Sequence, residues 1–437
     1  MITRLHVRGF KNLTDLDVRL GAFNCIAGPN GAGKSNLFDV VALLSRLAAG
    51  ATLDVAADAV RGGRRQDVAH LFTQGTSSDR RLELVVEMIV PREGVDFLLK
   101  QVRASNTFLR YRLVLVPGEG PGGLGSTLRI AEEELVPILK GAWSREICFP
   151  HEPSWRDSLL ESTREGKYIR TEALGDGGRV IKMFGDSDVG RGRGRPTLAS
   201  AAALPETMLS KAQDGAAHPT AVLVRREMMS WTQLALEPTA LRRSDELRGP
   251  TAIDERGHHV ARTLYALHQR DPNVYARVSN RLFELVDDLR TLRVDLDEKR
   301  ELFTILATNR AGVELPAGAL SDGMLRFLAL AVLLEDPSHR GVICLEEPEN
   351  GVHPKRIPAI LRLLQEIAVD PSVPAGDDNP PRQVILNTHS PVVVANVDRD
   401  DLLIARVGGT GMSLLPLRRL DGFRRLEDDL ARAVPTR

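Results

Sequence analysis

The sequence predicts an α/β fold, a parallel-rich sheet flanked by helices. Three observations carry this prediction. First, the apolar run Phe23-Asn-Cys-Ile-Ala27 ends at Gly28, and Leu37, Val40, Val41, Leu44 and Leu47 then recur at helical spacing, so a glycine-rich turn lies between a strand and a helix. Second, the apolar run Val342-Ile-Cys-Leu345 ends in two carboxylates, Glu346 and Glu347. Third, strand-like and helix-like stretches alternate towards the C-terminus: a helix over 325–334, a strand over 342–345, a helix over 357–367 and a strand over 384–387.

In chain order, Ile2, Leu5 and Val7 and then Leu16, Val18 and Leu20 space as strands. Residues 82–90 and 109–116 give two more, and Pro117 to Gly125 is rich in turn residues. The alternation of Gly and Arg from Gly190 to Arg195 cannot build a core and reads as a solvated loop, with contact to phosphates as the other option. Over 259–292 the spacing predicts helix, with Val260, Leu264 and Leu267 on one stripe and Val278, Leu282, Leu285 and Leu289 on another. Neither stripe continues as a heptad array, which argues against a long coiled coil. Trp231, in Met228-Met-Ser-Trp-Thr, is open to two readings, a core residue or a contact between subunits.

Hydrophobic residues make up 43% of the 437, enough for a sizeable core. Lys+Arg and Asp+Glu are both 58, so no whole-chain charge points to a polyanion or a membrane surface. The three cysteines form no CxxC pair, and Cys25 and Cys344 sit in apolar strands, which suits a reducing, cytoplasmic compartment. The first residues lack the pattern of a signal peptide. No apolar run reaches the ~20 residues that span a bilayer, so no membrane partner is expected.

Four motifs carry chemistry. The run Gly28-Pro-Asn-Gly-Ala-Gly-Lys34-Ser35 matches GxxxxGK[ST] in full. Its glycines let backbone N–H groups turn towards phosphate oxygens, Lys34 adds a positive charge, and the Ser35 hydroxyl can ligate Mg²⁺. Asn30, Gly31, Ala32, Gly33, Lys34, Ser35 and Asn36 are the candidate nucleotide contacts. Glu346 and Glu347 emerge at a strand's C-terminal end, where open α/β sheets bind ligands; one carboxylate can serve a Mg²⁺ shell and the next can polarise water. His389, in Asn387-Thr-His-Ser-Pro391, follows another strand and could bond a phosphate or a water, or simply be capped by its neighbours. Ser321, Asp322 and Gly323 open the helix over 325–334, where Ser321 can cap the helix or the N-terminus can take an anion.

Taken together, these motifs resemble the ABC-type ATPase heads of the RecF/SMC/OLD group, a P-loop NTPase fold. The opening Leu5-His-Val-Arg-Gly-Phe10-Lys-Asn-Leu13 and the stretch Glu346-Glu-Pro-Glu-Asn-Gly-Val-His353-Pro354 carry the resemblance further, towards AAA-domain ATPases close to OLD and to bacterial defence systems. The resemblance implies that Gly28 to Ser35 is Walker A, that Val342 to Glu347 is Walker B, and that Glu347 is the catalytic carboxylate. It also implies that Glu346 supports Mg²⁺, that His389 is the switch histidine, that Ser321, Asp322 and Gly323 form the signature that reaches the ATP of a second subunit, and that Asn350 to His353 form the D-loop. Glu346 stands where the group usually has Asp, and Asp322 where it usually has Gly. For the Mg²⁺-ligating glutamine of the Q-loop the candidate is Gln74, with Gln66 as its rival.

The expected organisation is an N-terminal lobe over 1–100, a mostly helical inserted lid or arm over 101–295, and a C-terminal lobe over 296–437. The expected activity is hydrolysis of ATP with Mg²⁺ by a homodimer around two nucleotides, coupled to DNA processing or repair, or to antiviral defence. The partner would be DNA or a separately encoded nuclease or toxin. The segment after His389 is too short for a Toprim nuclease, so nuclease activity is not expected. The alternative is a nucleotide-gated scaffold with little turnover.

Overall fold

A computed structural model describes residues 1–61, 68–73, 80–119, 126–175, 177–186, 196–283, 289–408 and 411–417. One sheet has six strands, in the order Thr232–Leu234, Gly341–Glu346, Arg382–Thr388, Phe23–Ala27, Leu402–Gly408 and Gly411–Pro416. The first five strands are parallel and the last is antiparallel. Register aligns their ends: Leu234 pairs with Leu345, Glu346 with Asn387, Thr388 with Ala27, and Ala27 with Ile404. The C-terminal ends of five strands therefore share one edge. The residues that follow them meet there because the chain crosses over between parallel strands.

Every residue of Phe23–Ala27 and of Arg382–Thr388 is buried, as expected for strands covered on both faces. The two-residue period decides which core each side chain joins. Ile26, Cys344, Ile385 and Leu403 pack with the helix Lys34–Ala49 and with an antiparallel sheet. Their neighbours Cys25, Ile343, Val384 and Leu402 pack instead with the helices Val260–Arg270, Val274–Phe283, Asp322–Glu335 and Ile357–Ile367. Cys25 and Cys344 are buried thiols and Cys148 is exposed.

The second sheet has eight antiparallel strands in the order Thr197–Ser200, Arg179–Met183, Ile169–Ala173, Ser126–Pro137, Phe108–Glu119, Leu82–Ile89, Ile2–Phe10 and Leu13–Arg19. Here buried and exposed positions alternate, as in Leu13–Arg19. The polar face carries ion pairs: Glu87, fully buried, meets Arg4, Arg19 and Arg110 at 3.1, 3.2 and 2.8 Å.

The stretch 101–295 differs from a helical insertion in its first half. Strands from Phe108 to Ser200 extend the antiparallel sheet, with Phe108–Leu115 paired along Leu82–Ile89. Helices dominate only from Pro219 to Phe283. Polar residues at buried positions, such as Glu133 in Ser126–Pro137, break the apolar alternation that would mark these strands. Leu289, expected on a helical stripe, begins the strand Leu289–Asp297, where pairing with Leu302–Asn309 overrides local spacing. Trp231 is a core residue, 4% exposed, with Nε1 donating to Glu227 at 3.2 Å. The Gly/Arg run lies outside the described residues. No helix among the described residues is long and apolar enough to cross a membrane.

Candidate nucleotide-binding site

The loop after Phe23–Ala27 folds on its own sequence. Gly31 and Gly33 adopt φ of 77° and 101°, in the left-handed region that side chains disfavour. A Cβ on Gly33 would also lie 2.1 Å from the Asn12 side chain. Asn12 accounts for that closeness. It donates to the Ala32 carbonyl at 2.9 Å and accepts from Asn36 at 2.8 Å, so a residue of the opening stretch braces the loop. The helix Lys34–Ala49 starts at the loop's end with no side-chain cap; Asn36 N–H donates to the Gly33 carbonyl at 2.9 Å, which leaves the N–H groups of Lys34 and Ser35 for an anion.

Lys34 is 6% exposed, and its Nζ donates to the Gly28 and Pro29 carbonyls at 2.7 and 2.9 Å. Burial pushes its pKa down, while Glu347, Glu349 and Glu346 act to raise it. The ammonium thus stands in a field of three carboxylates.

Those carboxylates follow the strand Gly341–Glu346. Glu346 accepts from Arg61 at 2.6 and 3.0 Å and from Gln233 Nε2 at 3.1 Å. Arg61 also binds Asp39 at 2.8 Å and the Ser35 carbonyl at 2.9 Å, so it ties the loop's helix to Glu346. Glu347 has φ of 44°, a conformation costing of order 1–3 kcal/mol for a residue with a Cβ. Its N–H donates to Asn387 O and Oδ1, both at 3.1 Å, which fixes that turn. The Glu347 carboxylate is held by His389 Nδ1 at 2.8 Å on one oxygen and by Asn350 Nδ2 at 2.8 Å on the other. Glu349 is buried and takes the Thr388 hydroxyl on Oε1, while Oε2 has no partner among the described residues. Burial raises the Glu349 pKa.

The structure therefore brings Lys34, Ser35, Glu346, Glu347 and His389 to one edge. Ser321 sits apart as the N-cap of Asp322–Glu335, accepting from the Met324 N–H at 3.4 Å. Asp322 pairs with Arg242 at 2.5 Å. Gly323 packs on Gly351, where a Cβ would meet the Gly351 carbonyl at 3.2 Å. Ser321, Gly323 and Gly351 line a cavity of about 140 Å³ with Met324, Val352, His353 and Arg356. No hydrogen bond or ion pair joins residues 321–323 to residues 28–36 among the described residues.

Gln74 and Gln66 lie outside the described residues. The glutamine that touches Glu346 is Gln233, on the edge strand beside Gly341–Glu346. Sequence reasoning missed it because a strand of three residues carries almost no periodic signal. Arg61 was missed too, since only the folded chain sets it against Glu346.

The residues present fit ATP and Mg²⁺. The loop offers two glycines in the left-handed region, a buried ammonium and a helix N-terminus with no side-chain cap. No group of three or more His, Cys, Asp or Glu among the described residues could hold a metal alone. Mg²⁺ would then share Ser35, Glu346 and Gln233 with phosphate oxygens, the habit of this ion.

Comparison with known proteins agrees. Residues 23–116 and 186–395 match the family described as "AAA domain, putative AbiEii toxin, Type IV TA system". Over 45 residues the chain is 47% identical to the DNA replication and repair protein RecF of Magnetococcus marinus, a match covering 10% of this chain and 12% of that protein. Among solved structures, an Smc head bound to the C-terminal winged-helix domain of ScpA aligns over 98% of this chain and 99% of its own, at 13% identity and a TM-score of 0.49. The SMC head domain from Thermotoga maritima aligns over 95% and 98%, at 13% identity and a TM-score of 0.39. With a family match over more than half its length, and with the loop, the carboxylate strand and the histidine strand side by side in its sheet, the chain belongs to this AAA-domain family.

Proposed function

We propose that the chain binds and hydrolyses ATP as a homodimer, each ATP lying between the loop Gly28–Ser35 of one copy and the signature Ser321–Gly323 of the other. The observation that carries this reading is the clamp on Glu347 by His389 and Asn350, at the sheet edge that also bears Lys34. Backbone N–H groups of residues 30–36 and Lys34 bind the phosphates. Ser35, Glu346 and Gln233 would hold Mg²⁺, which neutralises phosphate charge. Glu347 orients a water and takes up its proton as ATP gives ADP and phosphate, and His389 holds that carboxylate in place. The separation of Ser321–Gly323 from the chain's own loop supports a site completed by a second copy.

In this reading residues 1–100 and 296–437 supply the two lobes of an ATPase head. Residues 101–295 form the lid or arm, with Thr232–Leu234 returning to the head. Turnover is coupled to DNA processing or to defence through DNA or a separately encoded effector, in the manner of OLD-like ATPases. A carboxylate held on both oxygens favours hydrolysis over a scaffold with little turnover. The test is phosphate release by the wild type and by Glu347→Gln. The variant is expected to lose about 10²–10⁴-fold in kcat while still binding ATP. Equal rates in the two chains would contradict the assignment.

A further inference from the structure

The signature carries a negative charge where a phosphate must approach. Asp322 lies in the first turn of Asp322–Glu335, next to the capping Ser321. In one copy alone a carboxylate there is favourable, because it complements the helix dipole. Against the terminal phosphate of a second copy's ATP the same charge repels.

Arg242 meets that charge. It follows the short helix Pro238–Leu241, which begins four residues after Gln233's strand ends. Its Nη2 lies 2.5 Å from Asp322 Oδ1 and 3.2 Å from the Leu320 carbonyl, so it grips the signature from both sides of Ser321. Its Nε and Nη1 donate to no protein acceptor among the described residues. A second cation near Asp322 is Arg326, already engaged with the Leu236 carbonyl at 3.2 Å and with the Asn350 carbonyl. Arg242 is thus the guanidinium in direct contact with Asp322.

We propose that Arg242 is a positioning residue that cancels the charge of Asp322, so that the signature of one copy can close on the terminal phosphate held by the other. This rests on the dimeric reading above. Arg242 acts through Asp322 and not by gripping the phosphate itself. Removing Arg242 exposes an uncompensated carboxylate to the phosphate, and removing the carboxylate charge makes Arg242 dispensable.

The experiment measures the ATP concentration for half-maximal dimerisation, by light scattering, in the full chain carrying Glu347→Gln to prevent turnover. Arg242→Ala is introduced with Asp322 present and again together with Asp322→Asn, and melting temperatures confirm that every chain is folded. With Asp322 present, Arg242→Ala is expected to raise the required ATP about tenfold or more; with Asp322→Asn the same change is expected to cost less than about threefold. Lower salt should widen the first effect and leave the second unchanged. An equal penalty in both backgrounds would overturn the proposal, because a brace through the Leu320 carbonyl or a direct phosphate contact does not depend on Asp322. So would no penalty in either. If the parent Glu347→Gln chain binds a fluorescent ATP analogue yet stays monomeric, the dimeric reading fails, and the inference with it.

Discussion

The carboxylates of the two sheets make opposite use of the same side chain. In the antiparallel sheet Glu87 and Glu133 are fully buried and saturated: Glu87 by three arginines, Glu133 by the N–H groups of Met208 and Leu209 at 2.7 and 2.8 Å and by the Tyr111 hydroxyl at 3.1 Å. At the edge of the parallel sheet Glu346 and Glu347 also carry protein partners yet stay partly exposed, and Glu349 keeps an oxygen without a partner among the described residues. A carboxylate whose lone pairs are all taken by the chain holds the fold together. One that retains capacity at a strand's C-terminal end is available to a ligand.

Substitutions should separate the two groups. The largest effect is expected from Glu347→Gln, whose kcat should collapse while its melting temperature moves little, since the amide keeps the shape of a partly exposed side chain and one acceptor oxygen. Glu87→Ala should do the reverse. It leaves three arginines around an empty site, and breaking such a buried pair costs about 3–5 kcal/mol. Chemical denaturation would read that loss, and ATP affinity of the remaining folded protein should be unchanged. A stable Glu87→Ala chain would break the comparison.

Glu133 sharpens it through pH. Burial is the main cause that lifts its pKa from 4.5 to about 7, against the opposing hydrogen bonds from Leu209, Met208 and Tyr111. The folded state then holds a proton that the unfolded chain has released, so stability is fully present below pH 4.5 and is lost as pH rises through about 7. Melting temperature should fall between pH 5 and pH 8, and Glu133→Gln should flatten that slope. A slope that survives the substitution would assign it elsewhere. The smallest effect belongs to Gln233→Ala, which removes one hydrogen bond on the Glu346 carboxylate and a proposed Mg²⁺ contact, and is expected to raise the Mg²⁺ needed for half-maximal turnover by about threefold to tenfold.

How much of this was legible depended on spacing along the chain. Lys34, Ser35, Glu346, Glu347 and His389 each follow an apolar strand, and strand-end position in a parallel sheet is readable locally. Gln233 and Arg61 were not readable, because their meeting with Glu346 is set by strand pairing and by an approach across hundreds of residues. The antiparallel strands from Phe108 to Ser200 were only partly visible. Residues such as Glu133, polar yet buried, interrupt the alternation that marks a strand. Asn12 stood in the opening stretch from the start, but its bracing of Gly33 depends on a close approach that no spacing reveals.

The central claim is that two copies complete each other's sites, and mixing two inactive chains tests it most directly. Lys34→Ala removes the loop's ammonium, and Ser321→Arg blocks the signature. A mixed dimer then pairs one intact loop with one intact signature, so an equal mixture should recover about a quarter of wild-type ATP turnover. Mixed dimers detected by native mass spectrometry with no recovered turnover would contradict the shared site.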